Sequence, residues 1–266
     1  MTGLEAALLG LIQGLTEFLP VSSSGHIELG KALLGVELKD PLVFSIVVHC
    51  ATALSTIVVF YKYILELTLD LLRFKWNAGT KYVSLIVLSM IPVGLVGYLF
   101  EDTIDGFFSG NILLVGLMLL VTGVLLYTTI LVKQKDNVLN FKRAFIIGIA
   151  QMVAILPGIS RSGSTIATAL LLGVKKEEAA RFSFLMVLPP ILGATLLKFK
   201  DFMEVSDVAT AEVNNSGLAI GFFTAFIAGL LACKLMIKLV KSSKLQYFAI
   251  YCFVVGAIAI LWNIFA

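Results

Sequence analysis

The polar and ionisable residues of this chain concentrate in two short segments that interrupt otherwise apolar sequence. The first segment contains Gln13, Glu17, Ser22, Ser23, Ser24, Gly25 and His26, and the second contains Ser160, Arg161, Ser162, Gly163, Ser164 and Thr165. Such groups are costly in an apolar environment, so in a membrane domain they mark functional sites by default. These two segments are therefore the candidates for chemistry.

Each segment precedes an apolar run and is predicted to begin a helix. The first N–H groups of a helix have no partner within it, and the helix dipole is positive there, so such an end attracts an anion. Arg161 adds a permanent charge whose planar fork suits phosphate oxygens. Two helix N-termini and one arginine together predict an anion site at membrane depth.

The first segment also contains the reactive groups. Gln13 and Glu17 are four residues apart, so their side chains share one helix face. The Glu17 carboxylate is suited to hold a divalent cation such as Mg²⁺ or Ca²⁺, or to orient and deprotonate a partner. Ser23 and His26 are both candidate nucleophiles towards phosphorus, and their spacing does not choose between them.

Simpler structural roles compete with these interpretations. Ser22, Ser24 and Ser162 are also suited to be plain helix N-caps. Glu17 could be a hydrogen-bonded structural residue, and Arg161 could tie two helices together. His49 lies in an apolar run, where an interhelical hydrogen bond is the simpler interpretation.

The elements that position these segments are predicted to be membrane helices. Of 266 residues, 59% are hydrophobic and 14% are charged, and the mean hydropathy is +1.01. Soluble domains carry about 25% charged residues, and no basic stripe indicates nucleic-acid binding. The composition predicts an all-α integral membrane protein. Six runs are long enough to cross a bilayer, near 42–62, 82–100, 111–132, 182–199, 217–238 and 246–265.

Four shorter apolar runs form two pairs, 4–18 with 24–36 and 143–156 with 164–174. Each pair is separated by a Pro/Ser/Gly break, at 20–25 and 157–163. Non-helical backbone persists at membrane depth only where protein or a wet cavity surrounds it. Both pairs are therefore predicted to be re-entrant helix–loop–helix hairpins.

The two hairpins are also copies of each other. A constant offset of 138 matches Gln13 to Gln151, Ser22 to Ser160 and Gly25 to Gly163, and it extends to Phe44-Ser45 and Phe182-Ser183. The chain is predicted to be one membrane domain of two repeats, 1–137 and 138–266. Each repeat has three spans, so the second enters the membrane from the opposite side, as in inverted-topology repeats whose broken helices mark a site near the midplane.

The charged linkers predict an orientation. Segments 62–81, 133–143 and 234–244 are basic, which places them in the cytoplasm. Two acidic segments are then outside, together with both termini; they carry Glu101, Asp102, Asp105, Asp201, Glu204, Asp207 and Glu212. The first hairpin would enter from outside and the second from the cytoplasm.

The stretches from Gln13 to His26 and from Pro157 to Thr165 closely resemble the two signatures of the undecaprenyl-diphosphate phosphatase family, also called bacitracin-resistance proteins. In this chain the second stretch has the form Pro-Gly-x-Ser-Arg-Ser-x-x-Thr. The resemblance covers essentially the whole chain. It implies hydrolysis of undecaprenyl diphosphate to the monophosphate and inorganic phosphate, which recycles the lipid carrier for cell-wall synthesis.

The resemblance also implies roles for single residues. Glu17, Ser23, His26 and Arg161 would be catalytic, with Ser23 and His26 as alternative nucleophiles. A divalent cation would be required, with Glu17 as a candidate ligand, and Gln13 is the amide variant of a position that is acidic in some members. Substrate contacts would come from Gln13, Ser22, Ser24, Gly25, Ser160, Ser162, Gly163 and Thr165.

The resemblance further implies a place in the bacterial cytoplasmic membrane, with the active site opening to the outer face. A homodimer is compatible with the sequence. The competing hypothesis is a transporter that flips the polyprenyl phosphate carrier, because inverted repeats with broken helices are a transporter architecture. A transporter needs the anion site, but not Glu17 and His26 together beside it, and this favours the enzyme.

Overall fold

A computed structural model describes residues 1–36, 41–107, 110–132, 135–205, 215–242 and 244–265, without the side chains of 41–42, 101, 102, 105 and 197–205. Within these residues every regular element is helical, apart from a single β-bridge between Asn137 and Val174. The helices are α1 Gly3–Phe18, α2 Ser23–Leu34, α3 Pro41–Val59, α4 Tyr61–Leu72, α5 Ala78–Leu99, α6 Glu101–Phe107, α7 Ile112–Thr128, α8 Phe141–Val153, α9 Arg161–Leu171, α10 Lys176–Met186, α11 Leu188–Val205, α12 Asn215–Lys241 and α13 Gln246–Phe265.

Several helix starts follow directly from the sequence. Asn77, Asn111 and Asn140 precede α5, α7 and α8, and each side chain accepts a hydrogen bond from a backbone N–H three residues later. Asparagine is a strong N-cap because this bond satisfies a donor that the helix itself leaves unpaired. The polar residue before each apolar run therefore determines where the helix begins.

Several of these helices are long and apolar enough to cross a membrane. Five qualify within the described residues, namely 78–99, 112–131, 176–196, 215–241 and 246–265. A sixth is counted if α3 and α4, which are bent by 80° at Phe60, are taken as one broken span. The prediction of an all-α, multi-pass membrane protein is confirmed at this level.

Two predicted spans have the wrong bounds. The run 42–62 does not continue as one straight helix, because α4 turns away after Phe60 with Lys62, Glu66 and Asp70 at helical spacing, the pattern of an amphipathic helix. The run 182–199 begins earlier, at Lys176, and is interrupted at Val187 between α10 and α11. The first turns of α10 contain charged residues, so the apolar run alone does not show where this helix begins.

Part of the charge pattern behind the predicted orientation is not described. Lys133, Asp207 and Glu212 lie outside the described residues, as do the side chains of Glu101, Asp102, Asp105, Asp201 and Glu204. The orientation of the chain in the membrane therefore stays a prediction.

The four short helices form the predicted pairs, α1 with α2 and α8 with α9, and each pair is joined by a short break. Both breaks end earlier than predicted, since α2 begins at Ser23 and α9 at Arg161. Ser23, Ser24 and Gly25 therefore belong to the first turn of α2, and Arg161, Ser162 and Gly163 to the first turn of α9. The catalytic candidates Ser23 and Arg161 are the first residues of their helices.

Glycines allow the first helix of each pair to lie very close to a long helix. A β-carbon at Gly14 of α1 would lie 2.5 Å from the carbonyl oxygen of Ala225 in α12. A β-carbon at Gly148 of α8 would lie 2.4 Å from the carbonyl oxygen of Ser89 in α5. Small residues permit such backbone contact between membrane helices, and here they hold both short helices in place.

We expect Gly14→Ala to lower the stability of the protein by about 1–3 kcal/mol, because the new methyl group must displace backbone atoms of α12. Gly97→Ala is the matched control, since a β-carbon at Gly97 in α5 meets nothing within 4 Å. Thermal unfolding of the purified proteins in detergent measures the difference. Equal melting temperatures for the two variants would contradict the close packing of α1 on α12.

Candidate active site

The two breaks lie against each other. The Ser22 hydroxyl accepts a hydrogen bond from the Gly158 N–H at 3.2 Å, and the Ser162 hydroxyl donates to the Leu19 carbonyl at 3.2 Å. The bonded residues are 136 and 143 positions apart in sequence, so these two hydrogen bonds join the two helix pairs. The convergence predicted from the two segments is present in the structure.

Glycine is needed where the breaks touch. Gly158 has a φ of +98°, and a β-carbon there would lie 2.5 Å from the Val115 carbonyl oxygen. A β-carbon at Gly25 would lie 3.2 Å from the Cα of Gly158, and one at Gly163 would lie 3.3 Å from the Cβ of Pro20. Only glycine adopts the φ of Gly158 without strain, and a β-carbon at Gly25 or Gly163 would require neighbouring atoms to shift by a few tenths of an ångström.

The serines divide into caps and non-caps. Ser22 and Ser160 are the N-caps of α2 and α9, and their hydroxyls accept from the N–H groups of Gly25 and Gly163 at 3.3 and 3.0 Å. Ser24 and Ser162 lie inside the helices, so the N-cap interpretation is wrong for them. Ser22 has a φ of +70°, which is unusual for a residue other than glycine and indicates local strain held by its surroundings.

Glu17 is the centre of the site. One carboxylate oxygen accepts from the Ser23 hydroxyl at 2.6 Å and from the Gln13 amide at 3.0 Å, and the other contacts the Arg161 guanidinium. The carboxylate is buried, as is the Gln13 side chain. Glu17 therefore joins the end of α1 to the first residue of α2 and to the first residue of α9.

The Arg161 guanidinium has a partner within the protein. Glu17, 144 positions away in sequence, pairs with it, as in the alternative in which Arg161 ties two helices together. Arg161 also donates to the Ser183 carbonyl at 3.4 Å. An anionic ligand would therefore compete with Glu17 for the guanidinium.

His26 is oriented away from the carboxylate. Its Nδ1 lies 2.8 Å from the Ser22 carbonyl oxygen, and its Nε2 lies 2.8 Å from the Tyr251 hydroxyl of α13. Because a carbonyl only accepts, Nδ1 must carry the proton in the neutral ring, and Nε2 then accepts from Tyr251. The expectation that the break folds His26 towards Glu17 is not met, whereas Ser23 does contact Glu17.

His49 of α3 is a further neighbour of the carboxylate. Its Nε2 lies 3.9 Å from Glu17, and its Nδ1 lies 2.8 Å from the Ser45 carbonyl oxygen of its own helix. The sequence favoured an interhelical hydrogen bond for His49. The bond is instead within α3, and the free edge of the ring faces the site.

The predicted catalytic and substrate-contact residues differ in accessibility. Ser23, Ser24, His26 and Arg161 are half-buried, whereas Gln13, Ser22, Gly25, Ser160, Ser162, Gly163 and Thr165 are buried. The Thr165 hydroxyl, for example, lies 2.6 Å from the Ser183 hydroxyl and donates to the Arg161 carbonyl at 2.9 Å. The buried residues therefore support the site, and the half-buried ones are those that a ligand can reach.

Sequence reasoning missed three supporting residues, Thr122, Ser183 and Tyr251. The buried Thr122 hydroxyl of α7 accepts from the Ser160 N–H and donates to the Gly158 carbonyl, both at 3.0 Å. Thr122 and Tyr251 are single polar side chains within apolar helices, and Ser183 lies in α10, which also carries charged residues. None of the three belongs to a polar cluster in the sequence.

The amide oxygen of Gln13 is a candidate ligand for the expected divalent cation. This oxygen is buried and has no hydrogen-bond partner among the described residues. Mg²⁺ and Ca²⁺ take carboxylate and amide oxygens as ligands, and Mg²⁺ is usually shared with substrate phosphates. Gln13 and Glu17 thus fit a divalent cation, although within the described residues no group of three His, Cys, Asp or Glu side chains could hold a metal ion.

Comparison with known proteins gives one consistent family. A model of the family described as "Bacitracin resistance protein BacA" matches residues 6–258. An "Undecaprenyl-diphosphatase" of Christiangramia forsetii is 53% identical over 260 residues, covering 97% of each chain, and one of Parabacteroides distasonis is 52% identical over 98% of each. A protein of the same name from Methanosphaera stadtmanae is 40% identical, again over 98% of each chain.

We expect Thr122→Val to destabilise the protein by about 1–3 kcal/mol, since it leaves a buried N–H and a buried carbonyl of the second break without a partner. Thr122→Ser keeps the hydroxyl and should stay close to wild type. Thr68→Val is the control, because the exposed Thr68 hydroxyl bonds only to its own helix at Ile64. Melting temperatures in detergent test this, and a Thr122→Val variant as stable as Thr68→Val would contradict the bridging role.

Proposed function

We infer that this chain, which belongs to the bacitracin resistance protein BacA family, is an undecaprenyl-diphosphatase. The family model covers nearly the whole chain, and relatives at 51–53% identity carry that enzyme name. The single structural observation that best supports the inference is the Ser23–Glu17–Arg161 contact at the meeting point of the two breaks. A hydroxyl, a carboxylate and a guanidinium in contact suit phosphoryl transfer better than passive transport of an anion.

The proposed reaction converts undecaprenyl diphosphate and water into undecaprenyl phosphate and inorganic phosphate. The diphosphate would lie beside Ser23, Ser24 and Arg161, at the N-termini of α2 and α9, where unpaired N–H groups and the helix dipoles favour an anion. The prenyl chain would remain among the apolar helices. This reaction recycles the lipid carrier of cell-wall synthesis.

Binding of the diphosphate would change the Glu17–Arg161 ion pair. Phosphate oxygens offer the guanidinium the same bidentate geometry as a carboxylate does. When Arg161 turns to the phosphates, Glu17 loses its strongest neutralising partner while it still accepts from Ser23. We propose that the carboxylate then becomes the base for the serine, so that substrate binding itself switches on the nucleophile.

In the first step, the Ser23 oxygen attacks the terminal phosphorus and its proton passes to Glu17. The bond from this phosphorus to the bridging oxygen breaks, and its electron pair leaves with undecaprenyl phosphate. In the second step, water attacks the phosphoserine and the bond from phosphorus to the Ser23 oxygen breaks. Glu17 returns its proton to Ser23, and the phosphoryl group leaves with the added water as inorganic phosphate. Arg161 stabilises the charge that develops on the transferring group in both steps.

We propose Ser23 as the nucleophile and His26 as a supporting residue. Ser23 contacts the carboxylate at 2.6 Å, whereas both ring nitrogens of His26 already have partners in Ser22 and Tyr251. The ring of His26 stacks on Tyr251 with centroids 5.5 Å apart. We propose that this stack holds the first turn of α2, and with it Ser23, in place.

We also propose that Glu17 and the unpaired amide oxygen of Gln13 hold a divalent cation, Mg²⁺ or Ca²⁺, together with the substrate phosphates. Its contribution when bound would be to neutralise negative charge on the diphosphate. The cation would replace none of the three side chains, so the proposed roles of Ser23, Glu17 and Arg161 stay the same when it is bound.

The proposed setting is the bacterial cytoplasmic membrane, with α1–α2 and α8–α9 as re-entrant hairpins and the site open to the outer face. Two observations support the inverted repeat: α1 packs on α12, and the corresponding α8 packs on α5, in both cases through a glycine. The basic linkers would face the cytoplasm.

The function is tested by phosphate release from undecaprenyl diphosphate with purified protein and with Glu17→Gln. This variant keeps the shape of the side chain but cannot take the proton of Ser23, so the rate should fall about 10²–10⁴-fold, with or without added Mg²⁺ or Ca²⁺. Binding of a non-hydrolysable diphosphate analogue should remain. Glu28→Gln is the matched control, because Glu28 is also a buried glutamate but pairs with Lys31 instead. Normal hydrolysis by Glu17→Gln would show that Glu17 is not needed for catalysis.

A rapid-quench experiment identifies the nucleophile. Substrate labelled in the terminal phosphate should transfer label to Ser23 as an acid-stable phosphoserine, and Ser23→Ala should abolish both labelling and turnover. Ser84→Ala is the control, since the Ser84 hydroxyl only bonds to Thr80 of its own helix. An acid-labile, alkali-stable adduct on His26 would instead assign the nucleophile to the histidine.

A further inference from the structure

A second polar pocket lies away from the Glu17 site and shares no residue with it. It has a volume of about 390 Å³ and lies between α4, α5, α10 and the segment before α8. Its polar and charged lining residues are Tyr63, Glu66, Asp70, Lys81, Tyr82, Glu178 and Arg181. We call it the Arg181 pocket.

Two aromatic rings hold the guanidinium at the centre of this pocket. The guanidinium carbon of Arg181 lies 4.5 Å from the ring centroid of Tyr63 and 6.0 Å from that of Tyr82. The two tyrosine rings meet edge to face, with centroids 5.5 Å apart. Such stacking restricts the arginine to one orientation before any ligand binds.

Two donors of the pocket have no hydrogen-bond partner within the part of the chain that the structure describes. They are the hydroxyl of Tyr82 and the Nε of Arg181, and both atoms are buried. The Tyr82 side chain as a whole is only 8% exposed. Buried polar groups are nearly always hydrogen-bonded, so two unpaired donors beside one pocket indicate an acceptor that binds there.

The charges of the pocket have both signs. Arg181 and Lys81 oppose Glu66 and Glu178, and none of these four makes an ion pair with another described residue. The third carboxylate of the pocket, Asp70, is instead paired with Arg73, and Glu177 outside the pocket is paired with Lys241. A ligand with one negative and one positive group would match this lining.

The pocket lies at the ends of two membrane spans. Lys81 and Tyr82 are in the first turns of the span 78–99, and Glu178 and Arg181 are in the first turns of the span 176–196. The adjoining α4 is bent by 80° from α3 and exposes Leu65, Leu69 and Leu72, followed by exposed Phe74 and Trp76. An amphipathic helix with aromatic neighbours is typical of the membrane interface, where lipid headgroups lie.

We propose that the Arg181 pocket binds the phosphoethanolamine headgroup of a membrane lipid. The phosphate would accept hydrogen bonds from Arg181, Tyr82 and Lys81, and the ammonium would donate to Glu66 and Glu178. The exposed leucines of α4, on a different helix face from Glu66 and Asp70, would hold α4 in the membrane interface. A choline headgroup has no N–H to donate, and a phosphoglycerol headgroup has no positive charge, so both should bind less well. The proposal does not depend on the hydrolytic function.

The test uses the full chain in nanodiscs of phosphatidylcholine doped with equal small amounts of phosphatidylethanolamine and phosphatidylglycerol, followed by native mass spectrometry of retained lipid. We expect preferential retention of phosphatidylethanolamine. Tyr82→Phe removes only the unpaired hydroxyl and should weaken retention about tenfold, as expected for the loss of a hydrogen bond to a charged group. Tyr98→Phe, which changes a tyrosine of the same helix that is 84% exposed, should have no effect.

Glu66→Gln tests the other half of the site and should shift the preference towards phosphatidylglycerol. Calorimetry with soluble phosphoethanolamine distinguishes the source of the ligand: we expect much weaker binding than for the lipid. Equal retention of the three lipids, or equal behaviour of Tyr82→Phe and Tyr98→Phe, would overturn the proposal. So would preferential retention of phosphatidylglycerol by the wild type, or tight binding of soluble phosphoethanolamine without retention of the lipid.

Discussion

A charge buried among apolar helices must be paired, and in this protein the pairing of Glu17 with Arg161 organises the whole site. An unpaired buried ion is strongly destabilising, and removing one partner leaves that penalty in full. The two residues come from α1 and α9, so the ion pair forms only when the two helix pairs meet. The breaks, their glycines and their capping serines can therefore be understood as the means of bringing these two side chains together.

The same constraint links stability to function. The residues around the ion pair are satisfied within the protein: Thr165 and Ser183 support Arg161, Gln13 and Ser23 donate to Glu17, and Thr122 ties the backbone of the second break. A diphosphate can replace the carboxylate as the partner of Arg161 without leaving the guanidinium unpaired. In the proposed reaction, binding of the diphosphate to Arg161 therefore offsets the free energy needed to break the Glu17–Arg161 ion pair.

Much of this site could be predicted from the sequence, because polar residues in apolar runs and a constant offset of 138 are local or periodic signals. They predicted the two segments and the meeting of their helix starts, and the catalytic roles of Glu17 and Arg161 stay predictions. They did not reveal that Glu17 is the partner of Arg161, that Tyr251 takes the free nitrogen of His26, or that α4 bends by 80°. Each of these depends on the packing of helices distant in sequence, and a single polar residue such as Thr122 carries no pattern of its own.

The offset also suggests why one site, and not two, results from the duplication. Position 23 corresponds to position 161, so Ser23 and Arg161 occupy the equivalent first positions of α2 and α9, and both contact Glu17. Position 17 corresponds to position 155, which is isoleucine, and Gln151, the counterpart of Gln13, is buried with neither amide atom hydrogen-bonded within the described residues. If the copies are related as the offset predicts, the single carboxylate of Glu17 contacts the first residue of α2 and the first residue of α9. The proposed nucleophile, Ser23, and the proposed phosphate clamp, Arg161, then occupy the same position of the repeat and differ by substitution.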